Sequence, residues 1–231
     1  MATLHVLRVF VGPDGAGGNP LGVFLDGSQV PAARRQAVAA ELGFSETVFV
    51  DDPERGEIRI FTPGGELPFA GHPTVGAAWL LEREGVPCPV LRPPAGEVEA
   101  RAGAGEEAPA FVAAPVAWSP PWELIRLGSP AEVEALDGPP GGREDGVYAW
   151  SWVDEAAGRV RSRCFWLGAG VGEDEATGSA AIVLAGALGR PLAIRQGRGS
   201  ELAAAPLGDG RAKVGGRVTL AEVRETHPAR P

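Results

Sequence analysis

Two apolar segments decide the fold of this chain. The first is PTVGAAWLLERE at residues 73–84, and the second is TGSAAIVLAGAL at residues 177–188. Each has the length of a helix and is followed by a glycine, Gly85 or Gly189, which is a typical helix end. The second segment and the first half of the first carry no charge, so we expect both helices to be buried.

The two segments also match each other. Residues 74–78 (TVGAA) agree in type with residues 177–181 (TGSAA) at most positions, which indicates two similar halves. Short runs of β-branched and apolar residues lie around each helix, and proline and glycine separate them as turns separate strands. Because a helix that is apolar on all sides must be surrounded, a curved sheet of short antiparallel strands around it is the economical arrangement.

The sequence therefore predicts an α+β protein of two pseudo-equivalent domains with a cleft between them. We expect each domain to be a curved, mostly antiparallel sheet wrapped around a central apolar helix. The N-terminal half is assigned to residues 1–117 with its helix near 73–84, and the C-terminal half to residues 118–231 with its helix near 177–188.

Composition and charge exclude several function classes. The 231 residues are 44% hydrophobic and 22% charged, which is typical of a globular protein. A formal net charge of -9 argues against nucleic acid or an anionic membrane as the partner. No apolar run approaches the length of a membrane-spanning helix, and the first residues lack the pattern of a secretory leader. This leaves a small molecule or a protein as partner, and we expect a cytoplasmic location.

Familiar cofactor motifs are absent from the sequence. The two cysteines and three histidines show no metal-binding spacing, and neither a nucleotide-binding GxGxxG nor a hydrolase GxSxG is present. The only lysine, Lys213, lies in a polar, glycine-rich segment, whereas a Schiff-base lysine needs a dry pocket. We therefore expect chemistry without a cofactor or metal.

The first of three polar clusters is Ser45-Glu46-Thr47. Glu46 is the only charged residue between Glu41 and Asp51, and its neighbours in sequence are largely apolar. Such surroundings raise the pKa of a carboxyl group toward the range that suits acid/base catalysis. The alternative is a solvated carboxylate in a turn.

The second and third clusters lie at the starts of the two apolar helices. His72 precedes the first helix, where unpaired backbone N–H groups form an anion site, although a capping or core histidine is the alternative. Asp174 lies in the acidic run before the second helix, and the alternative there is a helix start stabilised by acidic residues and a Thr177 cap. If a pseudo-twofold axis relates the halves, both starts face one cleft, where amides hold a substrate carboxylate and Glu46 carries the proton.

Four runs resemble a known family. They are GGNPLGVF (17–24), ELGFSETVFV (41–50), RIFTPGGELPFAGHPTVGAAWLL (59–81) and EDEATGSAA (173–181). In this order they are similar to the phenazine-biosynthesis isomerase family (PhzF-like). The resemblance implies a fold like that of diaminopimelate epimerase, with two similar domains that each wrap a sheet around a central helix, and it implies a homodimer.

The resemblance also implies roles for individual residues. Glu46 matches the acid/base glutamate of the family, His72 the histidine of its GHPT motif, and Asp174 the aspartate of its EDxATGS motif, and these three are expected to be catalytic. Substrate contacts are expected from residues of the same matched runs, namely Asn19, Gly71, Thr177, Gly178 and Ser179.

The chain departs from the family in places. Glu175 stands where proline is usual, and the spacer from Glu97 to Gly146 is short. Related racemases use one cysteine from each half as bases, but Cys88 follows the first helix and Cys164 lies in a predicted strand, which disfavours a two-thiol racemase.

We therefore predict a cofactor-independent isomerase that moves a proton on a small carboxylated substrate. The alternative is a non-catalytic member that binds a small molecule or a protein. A hydrolase that uses Ser179 is the weakest of the three hypotheses. An anion is expected at the first helix start rather than the second, because acidic residues crowd the second.

Overall fold

The computed structural model describes residues 1–103, 105, 108–143, 146–167 and 172–227. The α+β class is confirmed, and antiparallel strand pairs predominate among the described pairs. The helices are α1 (Ala32–Leu42), α2 (Gly71–Arg83), α3 (Pro130–Glu134) and α4 (Gly178–Leu188). The strands are β1 (Ala2–Val11), β2 (Gly17–Phe24), β3 (Glu46–Asp52), β4 (Glu57–Thr62), β5 (Gly65–Leu67), β6 (Val90–Leu91), β7 (Val98–Ala102), β8 (Pro109–Pro115), β9 (Glu123–Arg126), β10 (Val147–Asp154), β11 (Arg159–Trp166), β12 (Gly172–Asp174), β13 (Leu192–Gln196), β14 (Ser200–Gly208) and β15 (Arg211–Thr226).

The chain divides into two compact units that are not two contiguous halves. One unit consists of Met1–Val9, Pro20–Val112 and Arg217–Pro231, and the other of Phe10–Asn19 and Ala113–Gly216. The expected division into 1–117 and 118–231 differs from this arrangement at both ends of the chain. The order of the segments in the sequence does not show that Phe10–Asn19 belongs with Ala113–Gly216, or that the segment from Arg217 onward belongs with the first unit. The sequence therefore does not predict this division.

In the first unit, α2 is the buried central helix. Residues Gly71–Leu81 are all buried, and the first charge of the helix is Glu82. Trp79 and Leu80 are almost fully buried, and burial of each such side chain stabilises a fold by about 1.5–3 kcal/mol. The helix lies close to the sheet because Gly76 has no side chain: a Cβ atom there would lie 2.4 Å from Leu21 Cδ2.

The strands of the first unit place the start of β3 beside the start of α2. β3 pairs in parallel with β2, with Glu46 opposite Leu21, and antiparallel with β4. β4 pairs antiparallel with β5, and β6 pairs antiparallel with β7, which lies next to α2 and also pairs with β8. The predicted helix 73–84 is confirmed, but it begins two residues earlier, at Gly71.

In the second unit, α4 packs on β14. Ala180, Ala181 and Ala185 are fully buried and Ile182 and Leu184 almost fully, but Gly186 and Ala187 in the last turn are exposed, so the expected burial of this helix extends only to Ala185. Gly189 ends it in the left-handed conformation with φ 63°, as glycine does at helix ends. The strand pairing brings β12 next to β11 and joins β11 in parallel to β13.

No helix in the described part of the chain is both long and apolar enough to cross a membrane.

Candidate active site

Glu46 is the first residue of β3 and is held in a mostly buried position. Its side chain is 15% exposed, so the alternative of a solvated turn carboxylate is wrong. Burial raises the pKa of the Glu46 carboxyl from its ordinary value of 4.5 to about 7, although a hydrogen bond with Ser45 lowers it slightly. Both the acid and the base form are therefore present near neutral pH.

His72 is the second residue of α2 and lies against Glu46. The His72 side chain is 4% exposed, and its Nε2 atom is 3.4 Å from Glu46 Oε2. The N-cap residue is Ala70, which makes no side-chain capping bond. His72 therefore does not cap the helix, and its ring is buried beside the carboxyl group.

The start of α2 offers fewer amide donors than a helix start usually does. Because the helix begins at Gly71, Pro73 is its third residue and has no N–H group. The first-turn donors are then the amides of Gly71 and His72, both in buried residues. This is where the sequence predicts an anion.

In the second unit, Asp174 ends β12, and both of its carboxylate oxygens accept hydrogen bonds. Asn19 Nδ2 donates to Oδ1 at 2.7 Å, and Thr177 Oγ1 donates to Oδ2 at 2.6 Å. Hydrogen bonds of this kind favour the charged form of a carboxyl group and fix its direction. The Asp174 carboxylate is thus fixed in direction by two neighbouring side chains.

Asn19 and Thr177 contact Asp174, and the substrate-binding role expected for them stays a prediction. Asn19 is 3% exposed, and its Nδ2 also donates to the Ala176 carbonyl at 3.0 Å. Thr177 occupies the N-cap position of α4, but its side chain makes no capping bond. The expectation of a Thr177 cap is therefore wrong, and the hydroxyl oxygen accepts from Gln196 Nε2 at 2.8 Å instead of from a helix amide.

Gly178 and Ser179 form the first two residues of α4, as the sequence predicts. The Ser179 hydroxyl is partly exposed and accepts a hydrogen bond from Trp122 Nε1 at 3.1 Å. Since an indole nitrogen only donates, this contact uses an acceptor site of the hydroxyl and leaves its proton for another acceptor. Ser179 is thereby suited to donate to an anion.

The structure thus forms two sets of the predicted residues, one in each unit. The first set is Gly71, His72 and Glu46, and the second is Asn19, Asp174, Thr177, Gly178 and Ser179. That the two sets share one cleft stays a prediction. Within the described residues, no group of three or more His, Cys, Asp or Glu side chains is arranged to hold a metal ion.

Comparisons with known proteins agree with the resemblance found in the sequence. A family model described as phenazine biosynthesis-like protein (PhzC-PhzF) matches residues 10–117. A solved structure from Pseudomonas aeruginosa, described as a predicted epimerase, is 30% identical and covers 98% of this chain and 99% of that one, with a TM-score of 0.73. The chain belongs to the PhzC-PhzF family.

Other members of the PhzC-PhzF family match over shorter stretches or at lower identity. A trans-2,3-dihydro-3-hydroxyanthranilate isomerase from Pseudomonas fluorescens is 51% identical over 67 residues, which are 28% of this chain and 24% of that protein. The chain thus spans about a quarter of the length of the curated relatives it matches. A PhzC/PhzF protein from Clostridium difficile shares the fold, with 19% identity, a TM-score of 0.77 and coverage of 98% of this chain and 100% of that one.

In this PhzC-PhzF member, residues that the sequence did not single out also contact the second set, among them Gln196 and Trp122. Gln196 is fully buried and hydrogen bonds to Thr177 and to the backbone of Asp174. A signal for it was present, because Leu192, Ile194 and Gln196 alternate along β13 and so share the buried face. Trp122 had no such signal, since its contact with α4 joins residues far apart in sequence.

Cys164 also lies closer to the second set than the sequence indicates. It is opposite Asp174 in the β11–β12 pair and is fully buried. Burial raises the pKa of the Cys164 thiol well above its ordinary value, so the thiol stays protonated at neutral pH. A protonated thiol is a poor base, in agreement with the expectation that this chain is not a two-thiol racemase.

Proposed function

We propose that the protein is an isomerase that moves a proton between two atoms of a small carboxylated substrate, with Glu46 as the general acid/base and no cofactor. The observation that carries the proposal is the buried Glu46 carboxyl, with a pKa of about 7, placed 3.4 Å from His72. A catalytic group works best when its pKa lies near the working pH, because it can then both take and return a proton.

In the proposed reaction, Glu46 carries the proton within one turnover. The Glu46 carboxylate removes a proton from a carbon of the substrate, and the electron pair of the broken C–H bond moves into the substrate. The Glu46 carboxylic acid then returns a proton, either the original one or one exchanged with water, to a different atom. The step needs no net oxidant or co-reactant, and the enzyme ends in its starting state.

The remaining residues of the two sets would bind and orient the substrate. We propose that the amides of Gly71 and His72 bind the substrate carboxylate, since a helix start attracts anions. Ser179 would donate its free hydroxyl proton to a second oxygen, and Asp174 would accept a hydrogen bond from an amine or hydroxyl group of the substrate. The homodimer and the cytoplasmic location stay predictions.

The name of the Pseudomonas fluorescens relative supplies a probe with this chemistry. Trans-2,3-dihydro-3-hydroxyanthranilate carries a carboxylate, an amine and a hydroxyl group on one ring. Turnover of this compound by the wild-type protein, followed by proton NMR in deuterated buffer, tests the proposal. Uptake of deuterium at the new C–H position would report proton transfer directly.

The decisive variant is Glu46→Gln, which keeps the shape of the side chain and removes its proton transfer. We expect turnover to fall by about 10²- to 10⁴-fold, as is typical for loss of a general acid/base. Glu41→Gln on the exposed part of α1 is the control and should retain turnover. Full turnover by Glu46→Gln would show that Glu46 is not the base. A wild type that binds cyclic amino carboxylates but neither converts nor deuterates any of them would favour the binding-protein alternative.

A further inference from the structure

We propose that Gln196 is a positioning residue that fixes the Asp174 carboxylate through Thr177. Gln196 ends β13, lies 23 residues beyond Glu173 at the start of the EDEATGSAA run, and is fully buried. The inference rests on the proposed function, in which Asp174 contacts the substrate, and it adds the residue that holds Asp174 in place.

The Gln196 side chain donates a hydrogen bond to Thr177, whose hydroxyl in turn donates one to Asp174. Gln196 Nε2 donates to Thr177 Oγ1 at 2.8 Å, so the hydroxyl proton of Thr177 points elsewhere, and Thr177 Oγ1 donates to Asp174 Oδ2 at 2.6 Å. An amide N–H that donates to a hydroxyl oxygen strengthens the bond that this hydroxyl itself donates. Gln196 therefore determines which way Thr177 points and, through it, where Oδ2 is held.

Gln196 also holds the backbone of the same segment. Its Nε2 donates to the Asp174 carbonyl at 2.9 Å, and its Oε1 accepts from the Thr177 N–H at 3.2 Å. Both ends of the segment 174–177 are thus bonded to one buried amide. Asp174 Oδ1 also accepts a hydrogen bond from Asn19 Nδ2, and this bond needs the carboxylate in its present position.

Tyr148 and Ser162 fix the orientation of the Gln196 side-chain amide. Tyr148 OH donates to Gln196 Oε1 at 3.1 Å, and Ser162 Oγ in turn donates to Tyr148 OH at 2.9 Å. An acceptor is therefore required at the position of Oε1, which leaves Nε2 to face Asp174 and Thr177. Ser162 lies opposite Gln196 in the β11–β13 pair and belongs to the same buried network, but its hydroxyl bonds to Tyr148 rather than to the Gln196 amide, which makes it a matched control.

The test compares Gln196→Met with Ser162→Ala in two measurements. The first is kcat and KM with trans-2,3-dihydro-3-hydroxyanthranilate, alone and in an Asp174→Asn background. The second needs no substrate: the side-chain amide NMR signals of Asn19, assigned by their loss in Asn19→Asp, report the bond to Asp174 Oδ1. Both variants remove buried hydrogen bonds, so a merely structural role would lower the thermal stability of both and change neither measurement selectively.

We expect Gln196→Met to lower kcat by about 10- to 100-fold, since a misplacement of about 1 Å can cost this much. In the Asp174→Asn background it should cause no further loss of kcat, because the residue acts through Asp174. The Asn19 signals should shift in Gln196→Met and stay in place in Ser162→Ala.

Two results would overturn the inference. One is a Gln196→Met protein with wild-type Asn19 signals. The other is a loss of kcat that multiplies with the loss in Asp174→Asn. If Gln196→Met does not fold, Gln196→Glu keeps the acceptor for Tyr148 and is read by the same two measurements. An inactive wild type would contradict the proposed function alone, while the Asn19 signals would still decide the role of Gln196.

Discussion

The buried carboxyl of Glu46 predicts that the wild-type protein loses stability as the pH rises from about 4.5 to about 7. In the unfolded chain this carboxyl titrates near 4.5, whereas in the folded protein its pKa is about 7. Between these values the folded state holds a proton that the unfolded state has lost. By linkage, the free energy of unfolding then falls as the pH rises, and below about pH 4.5 the contribution of Glu46 is fully retained.

The size of the effect follows from the shift. One pKa unit corresponds to about 1.4 kcal/mol, so a rise from 4.5 to about 7 corresponds to about 3 kcal/mol of stability lost above pH 7. Domains are usually stable by about 5–15 kcal/mol, so the loss is a large fraction of the total. The Glu46→Gln variant has no ionisable group at this position and so does not lose this stability as the pH rises. The variant should therefore be about 3 kcal/mol more stable at pH 8, relative to wild type, than it is at pH 4.

Urea unfolding followed by tryptophan fluorescence, at several pH values from 4 to 8, measures this difference. Other titrating groups are common to both proteins and cancel in the comparison. Glu41→Gln on the exposed surface of α1 is the control, and its curve should run parallel to that of wild type. A difference between Glu46→Gln and wild type that changes by less than about 0.5 kcal/mol over this range would refute the reasoning, because it would mean that Glu46 is solvated.

Two further predictions concern the second unit. Cys164→Ala should keep turnover of trans-2,3-dihydro-3-hydroxyanthranilate within about threefold of wild type, because burial keeps the thiol protonated; a loss above about 100-fold would point to thiol chemistry. Gly17→Ala should lower the free energy of unfolding, measured with urea, by about 3 kcal/mol, because φ is +65° and the added Cβ would lie 2.2 Å from the Ser200 nitrogen. Gly15→Ala, with φ +80° and open space, should cost only the strain of about 1–2 kcal/mol, and equal losses would contradict the expected clash.

The two central helices were predictable because their signal is local. Apolar runs of helical length that are followed by a glycine predict helices, and α2 and α4 follow them to within two residues. The division into units was not predictable in this way. β15 runs from Arg211 to Thr226, and the boundary between the units falls inside this one strand, directly after Gly215 and Gly216.

The sequence predicts the burial of Glu46 in the first unit but not the side-chain contacts of Asn19 in the second. The burial of Glu46 follows from the lack of charge on either side of it. The contacts of Asn19 do not, because its partner Asp174 is 155 residues away. Motif matching places Asn19 and Thr177 in the site but cannot distinguish a residue that contacts substrate from one that holds another side chain. Only the hydrogen-bond partners make that distinction.

The two carboxyl groups at the centre of these sets differ in a way that supports separate roles. Glu46 is buried, and burial outweighs the hydrogen bond from Ser45, so the group can gain and lose a proton near neutral pH. Asp174 accepts a hydrogen bond at each oxygen, from Asn19 and from Thr177, and such donors favour a fixed anion. Enzymes often separate an acid/base carboxyl from an ionised one by such differences in environment. An exchange of roles would require stripping Asp174 of two donors and supplying them to Glu46. The environments therefore favour proton transfer by Glu46 and substrate orientation by Asp174.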